Sequence, residues 1–98
     1  METYAVLRRG GWRTPDDLEA AAEKSRVAGE TMPDDVRWVR TYAVAEPDGS
    51  LGTLCIYEAT GPDVLREHAA RADLPVDEVL LVAQTLIAGP DPAGVVTA

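Results

Sequence analysis

Side chains able to do chemistry are few in this 98-residue chain, which holds one histidine, His68, and one cysteine, Cys55. Imidazole titrates near neutrality, so metal ligation or general-base work at pH 7 would fall to His68. The competing reading is a hydrogen-bonded histidine packed beneath a helix. Cys55 is open to nucleophilic chemistry, or it is a small buried hydrophobe. Arg40 stands between Trp38 and Tyr42 at alternating positions. That spacing suits a guanidinium stacked among aromatics, or one placed to hold an anion. Tyr57 lies two residues beyond Cys55, and Glu58 follows it as a solvated or capping carboxylate. Asp63 and Glu67 are one helical turn apart, as cation ligands are, and a solvated helix face accounts for them equally. Gly10-Gly11-Trp12 has no phosphate-binding pattern, and neither a P-loop nor a dinucleotide fingerprint occurs.

These residues must be positioned by a short series of elements. Residues 3–9 read as a strand rich in β-formers, broken by Gly10-Gly11. Thr14-Pro15-Asp16-Asp17 then offers a cap, a first-turn proline and two acids at the positive end of a helix dipole. The helix is expected to reach about Glu30, with an inward arc of Leu18, Ala21, Ala22, Ser25 and Gly29 at spacings of three and four. Residues 36–45 and 51–58 read as strands joined through Glu46-Pro47-Asp48-Gly49-Ser50, turn chemistry that makes an antiparallel hairpin. Thr60-Gly61-Pro62-Asp63 repeats the helix-start spacing, with Thr60 as the expected cap. The second helix carries Leu65, His68, Ala69 and Ala72 on one face and ends at Leu74-Pro75. Residues 79–88 read as the last strand. The order β-α-β-β-α-β predicts a ferredoxin-like α+β domain over 1–88, a four-stranded antiparallel sheet with both helices on one face. Residues 89–98, with Pro90 and Pro92, are expected to form a flexible tail.

With helices on one face only, the other should be polar if it met water. Assigning the aliphatic pair Leu54 and Ile56 to the helix side leaves Trp38, Arg40, Tyr42, Cys55 and Tyr57 on the second face. On that assignment Cys55 looks away from His68, and the two form no nucleophile–base pair within one subunit. An aromatic sheet face of this kind predicts a homodimer packed sheet to sheet, a dimeric α+β barrel.

Composition narrows the function classes. Acids outnumber bases 17 to 9, for a net charge of −8, which argues against nucleic acid. Residues 1–40 carry seven bases and eight acids, and residues 41–98 carry two and nine, so the acidity is concentrated in the second half. A single cysteine allows no disulfide within the chain and no multi-cysteine zinc site. No apolar run has membrane-spanning length, and Arg8-Arg9 interrupt the first apolar stretch. A reducing, cytoplasmic setting with no membrane partner is therefore expected.

The stretch Val36-Arg37-Trp38-Val39-Arg40-Thr41-Tyr42, then Cys55-Ile56-Tyr57-Glu58-Ala59, then Arg66-Glu67-His68-Ala69 and Ala72-Asp73-Leu74-Pro75, resembles a small bacterial family of ferredoxin-like domains whose members are labelled nickel-binding proteins. The resemblance extends over about residues 3–88, with Met32-Pro33-Asp34-Asp35 and the proline-rich tail as departures. It implies a homodimer and Ni²⁺, or a similar borderline cation, as ligand, with no organic cofactor. It carries over His68 as the metal ligand, because imidazole suits nickel, with carboxylates, water or a second subunit completing the set. Two functions then compete. One is a non-catalytic dimeric metal- or small-molecule-binding protein, with Trp38, Arg40, Tyr42, Cys55, Tyr57 and His68 as candidate binding residues. The other is a cofactor-independent isomerase, cyclase or oxygenase of the dimeric α+β barrel class, holding an organic substrate between sheet and helices.

Overall fold

Alternation along the first strand sets the two sides of the molecule. In β1 (Glu2–Trp12) Tyr4, Val6 and Arg8 are buried, whereas Thr3, Ala5 and Leu7 between them are half-buried. The computed structural model describes residues 1–95. Beyond β1 its elements are α1 (Pro15–Glu30), β2 (Val36–Ala45), β3 (Leu51–Ala59), α2 (Pro62–Arg71) and β4 (Glu78–Leu81). They build one antiparallel sheet in the order β2-β3-β1-β4, the expected ferredoxin-like βαββαβ arrangement. Both helices lie on the side of Tyr4 and Val6, where the core gathers Met32, Val36, Cys55, Tyr57, Ala59 and Leu65.

Local chemistry explains the element ends. Thr14 Oγ1 accepts the Asp17 amide at 3.1 Å, with Pro15 in the first turn, so α1 starts where its cap spacing placed it. The second start differs. Gly61 caps α2 without a side-chain bond, because Thr60 is turned toward Asp35. The Thr60 amide and hydroxyl donate to the Asp35 carbonyl and carboxylate at 3.0 and 3.1 Å. A tertiary partner thus outcompetes the helix end for that hydroxyl. At the far end of α2, Asp73 takes a left-handed conformation with φ 55° and Leu74 N–H donates to Ala69 O at 2.9 Å. That turn folds Leu74 back toward the sheet.

Three expectations about strands require correction. Gly10-Gly11 does not end the first strand: β1 continues through them to Trp12, with Gly10 at φ 57° where the pairing register with β3 shifts. The last strand stops at Leu81 rather than continuing to residue 88, because its neighbour runs out. Leu81 faces Tyr4, Val82 N–H reaches Thr3 O at 2.9 Å, and β1 begins one residue earlier, at Glu2. The face assignment is also inverted. Cys55 and Tyr57 are buried on the helix side, while Leu54 and Ile56 are half-buried on the open face. In β2 a bulge falls between Trp38 and Arg40, so Trp38 pairs with Tyr57 but Arg40 pairs with Ile56, Thr41 with Cys55 and Tyr42 with Leu54. Trp38 therefore faces the helices, and Arg40 and Tyr42 face away. Simple alternation places all three together, and the bulge breaks it. Beyond β4, Asp91 forms a two-pronged ion pair with Arg40 at 2.6 and 3.0 Å. Of the tail expected over 89–98, residues 96–98 lie outside the described residues.

Candidate functional site

A cleft opens between α1 and the sheet where α1 presents the small side chains Ala21, Ala22 and Ser25, with Leu18 at its edge. Its floor is buried and consists of Arg8, Ala21, Ser25, Thr53, Cys55 and Tyr57. Around it stands a half-buried rim of Trp12, Leu18, Ala22, Trp38, Thr41 and Leu74. The space over this floor is small, about 30 Å³, and open on one side. The small-residue arc of α1 leaves this space open, and the bulge in β2 supplies both Trp38 and Thr41 to it from positions three apart.

Hydrogen bonds tie the floor together across three strands. Trp38 Nε1–H donates to Thr41 Oγ1 at 2.8 Å, and Thr41 Oγ1–H donates to Cys55 Sγ at 3.2 Å. From the other side Arg8 Nη1–H donates to the same sulfur at 3.3 Å. Sulfur is a weak acceptor, so the guanidinium remains poorly compensated. Arg8 is 2% exposed, and its Nε has no partner, nor does Thr53 Oγ1 opposite it on β3. Among the described residues, carboxylates pair with Arg9, Arg26, Arg37, Arg40 and Arg71 at the surface, and none with Arg8. Enclosing a guanidinium without an anion costs several kcal/mol. In a chain with 17 acids, that omission is the most unusual feature of the molecule.

His68 sits behind this cleft, against Tyr57 and the Ser25 carbonyl. Its ring meets Tyr57 edge to face with centroids 5.4 Å apart. Nε2 lies 3.0 Å from the Ser25 carbonyl, so the proton is assigned to Nε2, and Nδ1 is enclosed without a partner. Burial lowers the pKa of His68, the positive Arg8 adds to that, and the Ser25 carbonyl opposes it. The imidazole is therefore neutral at neutral pH. Tyr57 Oη is 3.4 Å from Ser25 Oγ, and burial raises its pKa, which keeps the phenol protonated.

The six expected binding residues thus divide. Trp38, Cys55 and Tyr57 converge on the cleft, with His68 packed behind Tyr57. Arg40 and Tyr42 lie on the opposite face, joined by an Nη1–Oη bond of 3.1 Å. Cys55 and His68 share the helix side, contrary to expectation, yet they make no hydrogen bond to each other, being committed to Arg8 and Thr41 and to Ser25. Sequence reasoning missed Arg8, although its signal was present: residues 4, 6 and 8 fall on one pleat face, so an arginine continues the stripe begun by Tyr4 and Val6.

The donor set does not suit a metal ion within one protomer. No group of three or more His, Cys, Asp or Glu is gathered among the described residues. His68 offers one enclosed nitrogen, and the cleft beside it already contains a cation.

These features define a class: a small ferredoxin-like α+β domain with a polar floor beneath one helix. The chain belongs to the family described as nickel responsive protein SCO4226-like, whose model matches residues 4–82. Its fold is similar to the crystal structure of SCO4226 from Streptomyces coelicolor A3(2), with a TM-score of 0.68 and 20% identity over 86% of this chain and 99% of that one. None of the curated proteins matches it.

Proposed function

We propose that the protein is a small, non-catalytic ligand-binding protein that acts as a cytoplasmic homodimer and receives its ligand in the cleft beneath α1. The observation that carries this reading is the buried Arg8, without a carboxylate partner, at the floor of the cleft. Trp38, Cys55 and Tyr57 line the ligand space, and His68 orients Tyr57. Arg40 and Tyr42 belong to the open sheet face, where the second copy packs. Both tryptophans stand at the rim, so their fluorescence reports occupancy directly. Small arylacetic compounds should quench it saturably in the wild type. Ala21→Leu, which fills the cleft from α1, should abolish that response. A linear, unsaturable response would reject the cleft as a binding site.

Nickel is a second reading, favoured by the description of the family. His68 alone does not make a site, so a nickel ion would need donors from the partner copy. Calorimetric titration of Ni²⁺ into wild type and His68→Leu separates the cases. Equal heats are expected. A loss confined to the variant would return His68 to the metal.

A further inference from the structure

We propose that the ligand of this cleft is a small organic monocarboxylate with a flat, apolar body, its carboxylate paired with the Arg8 guanidinium. The inference rests on the cleft reading above and supplies its ligand class. Two buried polar atoms on the floor lack partners, Arg8 Nε and Thr53 Oγ1, and their residues are opposite one another on β1 and β3. Residues so paired hold their side chains within reach of a common acceptor. A carboxylate between them accepts from both, and a planar guanidinium matches it in charge and shape.

Charge excludes the alternatives. A cation would meet the guanidinium head on. A phosphate dianion would bring two negative charges to a floor with one positive group. A neutral ligand would leave the guanidinium as uncompensated as before. Size and walls settle the remainder of the molecule. The space over the floor is small, about 30 Å³, so only a compact group reaches it and the body rests at the rim among Trp12, Leu18, Trp38 and Leu74. Two indoles facing a cleft favour a flat ring. One methylene between ring and carboxylate would span from rim to floor.

Phenylacetate and phenylacetamide, alike in shape and different in charge, test the assignment on the intact protein. Tryptophan quenching should give at least tenfold tighter binding for the acid. That preference should vanish in Arg8→Met. In parallel, the Arg8 Nε–Hε resonance of the wild type should shift with phenylacetate and stay in place with phenylacetamide, a readout that holds even if the variant does not fold. Equal affinities for acid and amide would overturn the monocarboxylate while leaving the cleft as a binding site. An acid preference that survives in Arg8→Met would also overturn it. Failure of both probes to bind saturably would overturn the cleft reading and this inference with it.

Discussion

At the scale of single residues, Arg8 and His68 both depart from what packing alone would select. Replacing a buried, unpaired charge with an apolar side chain of similar length removes a desolvation penalty. Arg8→Met is therefore expected to stabilise the unliganded protein, by about 1 kcal/mol or more, as measured by urea denaturation. A destabilisation of that size would make the guanidinium a structural group. His68 makes stability depend on pH. Its folded pKa lies below the ordinary 6.5 because of burial, so the unfolded chain binds the proton more readily. Stability is complete above about pH 6.5 and is lost as pH falls through the folded value. Denaturation midpoints at pH 5 and 7.5 should differ more in the wild type than in His68→Leu. An equal difference in both would assign the acid sensitivity elsewhere. His68 was legible from the sequence as a histidine on an apolar helix face. Its bond to a main-chain carbonyl of α1 was not, because that depends on how two helices approach each other.

At the scale of elements, the two helix starts make a matched comparison. Thr14 caps α1, and Thr14→Ala should cost about 1 kcal/mol. Thr60 caps nothing and shares an exposed hydroxyl with Asp35, so Thr60→Ala should cost less than half as much in the same thermal melts. Identical losses would restore Thr60 as a cap. The β1–β3 pair contains a tighter constraint. A Cβ added at Gly52 would lie 2.6 Å from the Arg8 carbonyl oxygen, beside the register shift between Arg8 and Trp12. Gly52→Ala should destabilise the sheet by about 1–3 kcal/mol and displace the Arg8 backbone. An unchanged melting temperature would show that the strands part without cost. Element type and order were readable from β-former runs, turn residues and cap spacing. Which pleat faced the helices was not. Leu54 and Ile56 look more core-like than Cys55 and Tyr57, and the bulge after Trp38 leaves no mark in a run of alternating residues. The length of β4 was equally hidden, since Leu86 and Ile87 suit a strand but lie past the pairing with β1.

At the scale of the whole molecule, the sheet still has an open side. Tyr42 is 47% exposed, Val44 39% and Leu80 49%, and they share that face with Leu54 and Ile56. A second copy related by a twofold axis would cover them. Val44→Asp is expected to separate the copies without unfolding the protomer, because Val44 is not part of its core. Sedimentation velocity should find the wild type at twice the mass of the variant. A wild-type monomer at micromolar concentration would end the dimer reading. The edges of the sheet decide how far association can proceed. β4 pairs through four residues only, too short a template for another strand. β2 is longer, but its bulge kinks the hydrogen-bonding edge, and Arg37 and Arg40 place charge along it. Kinked, charged and short edges resist strand addition. Growth into a continuous cross-β ribbon is thereby disfavoured at both edges. A bend of one residue in β2 thus helps keep a protein with so much uncovered apolar surface from polymerising.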